Sequence, residues 1–173
     1  MGDFREHVKR LRLANNKWSE ETSFWTDSKR DNGKQIFSEH GQSSDGRTYI
    51  VRKGILQKSD LILRVGEKWW ITSIEDELPG FVTVKTAKVN IQTCHQDEDG
   101  PEFQAAICET YIQHAELMPQ RENTQVLTLV APKTVTIVPG HLVTVGDLVY
   151  EITAAWELGE NQNEYQIQRV VDL

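Results

Sequence analysis

Cys94-His95, Cys108 and His114 come closest to a metal-binding set in this chain, since thiolates and imidazoles together hold zinc. Their spacing argues the other way. There is no C-x2-C or H-x3-H pair, and neighbouring residues on a strand point to opposite faces, so Cys94 and His95 do not converge on one ion. Two small half-buried thiols and two surface histidines are expected instead, with no metal and no other cofactor. Asp97-Glu98-Asp99-Gly100 gathers hard oxygen ligands of the kind calcium takes, yet lacks the alternating spacing and the closing bidentate Glu of a calcium loop. A solvated turn is expected there. Glu75-Asp76-Glu77 raises general acid–base chemistry, but the run abuts Leu78-Pro79-Gly80 and reads as a charged hairpin tip. A catalytic acid at neutral pH would need a desolvated carboxylate. Trp69-Trp70 on a strand would send one ring to the core and one outward. The outward ring is then an interface or ligand anchor, or it packs under a neighbouring loop. The five histidines are scattered, and there is no Gly-rich phosphate loop, G-x-S-x-G elbow or H-E-x-x-H. No catalytic residue is assigned, and the chain reads as non-enzymatic.

The background that must position these residues is lean and acidic. The 173 residues carry 19 Lys plus Arg against 26 Asp plus Glu, a net charge of −7, with 38% hydrophobic residues. That balance opposes a nucleic-acid binder driven by counterion release, which needs a basic face. The mean hydropathy of −0.51 still lies outside the disordered range. No apolar run has the roughly 18 residues of a membrane span. The amino-terminal residues show neither the apolar stretch of a secretory signal nor a Ser or Thr at position 6 for myristoylation. Two cysteines make no disulfide framework, so a soluble chain from a reducing compartment is expected.

Phe4, Val8 and Leu11 have the i, i+4, i+7 spacing of an amphipathic helix, and Arg5, Lys9, Arg10 and Arg12 make this segment a positive island. Residues 1–33 therefore read as an N-terminal arm with a helix. Residues 26–46 are polar and turn-rich, with Asp31-Asn32-Gly33 and Ser43-Ser44-Asp45-Gly46. From Arg47 onward, short runs such as Tyr49-Ile50-Val51, Leu61 to Val65, Trp69 to Ile74 and Phe81 to Val84 are β-branched and aromatic. Their close spacing predicts a mainly β fold, a small antiparallel barrel or sandwich, as one unit or as two tandem β units. A first β unit spans 34–92 and a polar hinge 93–102. A second β unit, or the completion of a single domain, spans 103–173, where 103–117 suits helix or strand equally.

A weak repeat links Leu61–Ile74 with Leu142–Ala155 through a shared frame: an apolar strand, Val-Gly-acidic, an aromatic, then Ile-Thr, aligned with a small gap. Gly66 and Gly146 would supply positive φ at hairpins, and Gly80 marks a further turn. The run from Lys58 to Phe81 resembles the small neck proteins of tailed bacteriophages, the head-closure or stopper and head–tail joining proteins. Val145 to Thr153 with Tyr165 to Val171 shares the pattern. The resemblance implies a β-barrel subunit that forms a homo-oligomeric ring in the virion, assembled in the host cytoplasm. The ring would help to retain packaged DNA, with a portal or adaptor protein on one side and a tail protein on the other. Partner contacts are expected from Arg5, Lys9, Arg10 and Arg12, from Trp69 and Trp70, and from Glu75, Asp76 and Glu77. An acidic subunit would let DNA pass without binding it. The alternative is a β-barrel binding module, such as a tail or adhesin component recognising a saccharide or peptide. A third reading, a small hydrolase or metal-dependent enzyme, would call for bound zinc.

Overall fold

A computed structural model describes residues 4–112 and 124–170. The chain divides into two compact units, residues 1–90 and 91–173. The first holds β1 (Glu6–Ala14), β2 (Lys17–Ile36), β3 (Ser43–Arg52), β4 (Leu61–Arg64), β5 (Glu67–Leu78) and β6 (Phe81–Val89). The second holds β7 (Ile91–Gln96), β8 (Glu102–Ile112), β9 (Thr124–Pro132), β10 (Leu142–Val145), β11 (Leu148–Trp156) and β12 (Gln162–Arg169). The first unit closes in the order β1-β2-β3-β6-β5-β4, with β4 pairing back onto β1. The second closes in the matching order β7-β8-β9-β12-β11-β10, with β10 pairing back onto β7. Among the described residues all pairings are antiparallel, and closure leaves neither sheet with a free edge.

The correspondence reaches single residues. Leu61 of the β4–β5 hairpin falls on Leu142 of the β10–β11 hairpin, 81 residues later, and this frame continues without a gap. Trp69 then matches Tyr150, and Ile71 matches Ile152. Each hairpin's second strand slips register just after, between Ile71 and Ser73 and between Ile152 and Ala154. At each slip a threonine hydroxyl donates to a partner-strand carbonyl, Thr72 to Lys85 and Thr153 to Gln166. The two turns differ, which accounts for the gap that the Val-Gly frame requires. Val65 and Gly66 both have positive φ (47° and 77°), as a type I′ turn demands, whereas Gly146 opens its turn at φ 59°.

Each lumen is filled by inward side chains. Val8, Phe24, Tyr49, Val51, Ile62, Trp69, Ile71, Val82 and Val84 pack in the first barrel. Cys94, Phe103, Leu129, Ile137, Val143, Ile152, Tyr165 and Ile167 pack in the second, where the Tyr165 hydroxyl donates to Val135 O at 2.8 Å and accepts from Ile137 N–H at 3.2 Å.

Among the described residues the expected N-terminal helical arm is not present. Residues 6–36 form the antiparallel pair β1–β2, part of the barrel wall. Val8 faces the lumen, while Leu11 lies opposite Leu61 outside it, beneath a second apolar layer. A strand buried on both faces loses its alternation, and the three-residue gap then mimics a helical stripe. The turn is Asn15-Asn16, both at positive φ (50° and 62°), a conformation asparagine tolerates without glycine. The polar stretch 26–46 is also mostly strand, because Thr26 and Ser28 take inward positions where apolar residues would be expected. Thr26 satisfies its hydroxyl on Ile50 O at 2.7 Å. Residues 93–102, read as a hinge, are the end of β7, its turn and the start of β8, and residues 102–112 are strand.

Candidate functional site

The residues singled out in the sequence are distributed over several places. Trp69 and Trp70 are both buried, at 4% and 7% exposure. Trp69 points into the lumen. Trp70 points outward but is covered, with the Trp18 ring 5.5 Å and the Phe37 ring 6.4 Å away. Neither is a free platform. The positive island is tied to its own barrel: Lys9 pairs with Glu20 at 2.7 Å, Arg10 pairs with Glu21 and donates to Ile55 O, and Arg12 reaches Asp60 at 3.3 Å. Arg5 precedes β1. Glu75 pairs with Lys85 at 3.0 Å, whose hydrogen bond, with that of Ser73, holds its pKa below the ordinary carboxylate value. Asp76 pairs with Lys53 at 2.8 Å, and the side chain of Glu77 lies outside the described residues.

Cys94 is enclosed in the second core, while His95 on the opposite face lies 3.5 Å from Glu102. Cys108 is half-buried and His114 lies outside the described residues. Among the described residues no three His, Cys, Asp or Glu side chains are grouped to hold a metal ion. Asp97 accepts from Leu142 N–H at 3.0 Å and lies 2.9 Å from His141 Nδ1. The backbone bond and then the His141 contact lower its pKa, and this acidic turn is fastened to the start of β10. Gly66, Gly80 and Gly146 occupy turns at positive φ (77°, 79° and 59°).

A different cluster emerges at one end of the first lumen, on residues that, Trp69 apart, the sequence did not flag. Glu6 pairs with Arg64 and accepts from the Ser28 hydroxyl, and that same oxygen accepts from the Arg47 guanidinium at 2.7 Å. Glu67 pairs with Lys88 at 2.6 Å, and the hydrogen bond from Lys88 lowers its pKa. The Arg47 guanidinium also lies 5.7 Å from the centre of the Trp69 ring. Arg47 Nε, the Tyr49 hydroxyl and Trp69 Nε1 are buried without a hydrogen-bond partner. Burial drives the Tyr49 hydroxyl pKa above its ordinary value, and Arg47, Arg64, Glu6 and Glu67 all act on it, so this group sits amid the charges.

On the outer wall of the first barrel, a groove of about 530 Å³ is lined by Asp27, Lys29, Asp31, Asn32, Thr48 and Thr83, among others. Trp25, two residues before Asp27, is 60% exposed, with His7 as its ring neighbour at 5.0 Å. No protein family, no curated protein and no solved structure was found to match the chain.

Proposed function

We propose that the chain is a structural subunit that works by assembly, as a ring-forming neck component between the head and tail of a tailed-phage virion. The supporting observation is Val65. It sits at the tip of the β4–β5 hairpin with φ 47°, and it is 86% exposed. A β-branched residue in this region costs about 1–2 kcal/mol of backbone strain, and here the valine buries nothing in return. Neither folding nor packing within the chain favours it, so a contact outside the chain is its natural role. The tip lies inside the Lys58–Phe81 stretch that resembles neck proteins. Because the sheets close on themselves, such a contact must run through side chains and hairpin tips and not through strand addition.

Val65→Asn installs the Asn-Gly pair that type I′ turns prefer. It is expected to stabilise the isolated protein by ~1 kcal/mol, a thermal midpoint higher by roughly 2–8 °C, while weakening self-association in sedimentation velocity. Wild-type protein that stays monomeric at high concentration and forms no rings under the electron microscope would refute the proposal.

A saccharide-binding module is the second reading, favoured by Trp25 beside the polar groove and not by Trp69 or Trp70. An exposed indole next to carboxylate, amide and hydroxyl groups suits a polyhydroxylated ligand. Binding to a glycan array that disappears in Trp25→Ala would support it, and an array with no signal would end it.

A further inference from the structure

We infer that the charged end of the first barrel binds a small free oxyanion or carboxylate, received by Arg47 Nε, the Tyr49 hydroxyl and Trp69 Nε1. The chemistry of these three atoms sets the sign of the ligand. The guanidinium and indole nitrogens can only donate, and the phenol can donate, so the group that satisfies them together must accept. Unpartnered donors in a protein interior are costly, and each calls for a reason, a bound water or ion being one.

Charge balance points the same way. Arg64 answers Glu6 and Lys88 answers Glu67. Arg47 is left with the neutral Ser28 hydroxyl and the face of Trp69, so the cluster carries one uncompensated positive charge. Arg47 and Tyr49 are alternate residues on the inward face of β3, roughly 7 Å apart along the strand. Both side chains therefore leave the same face of the strand, and the Arg47 guanidinium lies over the Trp69 ring.

The second barrel shows that the fold does not require this polar set. Arg47 stands opposite Thr86, and the matching pair in the second barrel is Leu127 opposite Ile167. Arg64 opposite Glu67 corresponds to Val145 opposite Leu148. At these two cross-strand pairs one connectivity places aliphatic side chains in one copy and charges in the other, while Lys88 keeps a basic counterpart in Arg169. That difference has no structural necessity and suits a ligand.

The test follows the Trp69 indole N–H resonance, assigned by comparison with Trp69→Phe. The full chain is titrated with sodium acetate and with sodium phosphate at an ionic strength held constant with sodium chloride. A saturable shift is expected with at least one of the two anions. The apparent affinity should fall about tenfold or more in Arg47→Met, which loses a charge-assisted bond, and measurably in Tyr49→Phe, which loses one hydroxyl and keeps the packing. Arg30→Met should leave it unchanged, since Arg30 pairs with Asp45 on the surface. An unsaturable drift alike in all these proteins would overturn the inference. So would a crystal grown with either anion in which only ordered water joins the three donors.

Discussion

Raising the pH from 9 towards 12 is expected to unfold the protein, and the second barrel should fail first. The cause is a set of acids buried in their neutral form. Burial pushes the Cys94 thiol from 9.0 up to about 12, and burial with a smaller push from Glu164 does the same to Cys108. Burial, helped by Glu157 and opposed by the Ile137 N–H, takes Tyr165 from 10.0 to about 12. Among the described residues of the first barrel, Tyr49 alone shows a comparable upward shift of an acid. Below pH 9 both folded and unfolded chains keep these protons, so stability does not depend on them. Above it the unfolded chain releases protons that the folded chain retains, and stability falls until the folded groups titrate in turn. Each group contributes a slope of ~1.4 kcal/mol per pH unit. Three such groups in the second barrel act together above pH 10, and a total stability of about 5–15 kcal/mol is exhausted within a few units. Urea midpoints at pH 8, 9.5 and 11 should fall steeply, and Cys94→Ala together with Tyr165→Phe should flatten the decline. A midpoint that holds steady across this range would show that these groups are not buried as described.

Replacing Trp70 by alanine is expected to cost about 3–5 kcal/mol, the range for a large buried aromatic. Its ring occupies a row of outward positions, Leu11, Leu61, Trp70 and Ala87, that are neighbours across β1, β4, β5 and β6. Leu11, Leu61 and Ala87 are buried with it, and Trp18 and Phe37 cover the row. The corresponding positions of the second barrel are Leu142, Glu151 and Gln168, polar or exposed, so this outer layer is particular to the first. Trp70→Phe should recover most of the loss in equilibrium unfolding followed by circular dichroism. An external anchor would behave in the opposite way. If Trp70→Ala left the midpoint unchanged while a binding partner was lost, the layer would be an interface and not a core.

The β4–β5 hairpin was legible because its information is local. Alternating apolar residues, a glycine at a positive-φ turn and an aromatic-x-Ile strand lie within a dozen or so positions. The repeat at Leu142 to Ala155 was visible for the same reason, and so was the β class of the chain. The first two strands were not legible. Their turn uses asparagines, one strand is buried on both faces, and the other carries Thr26 and Ser28 on its inward face. The candidate anion site was still further out of reach, since Glu6 and Arg64 pair across 58 positions. One trace of it existed. Arg47, Tyr49 and Val51 alternate on a single strand face, and an arginine in line with two core residues signals a charge at an inward position.

Composition and short-range pattern alone therefore determined an acidic β chain with two related hairpins and glycine turns. Only the tertiary structure decided that each half closes into a barrel of one connectivity, that the supposed arm is wall, and that both tryptophans of the pair are covered. The physical reason is the period of the strand. A two-residue repeat specifies which face a side chain takes, but which strand lies alongside, and which charges meet across the lumen, is settled by closure between segments distant in the chain.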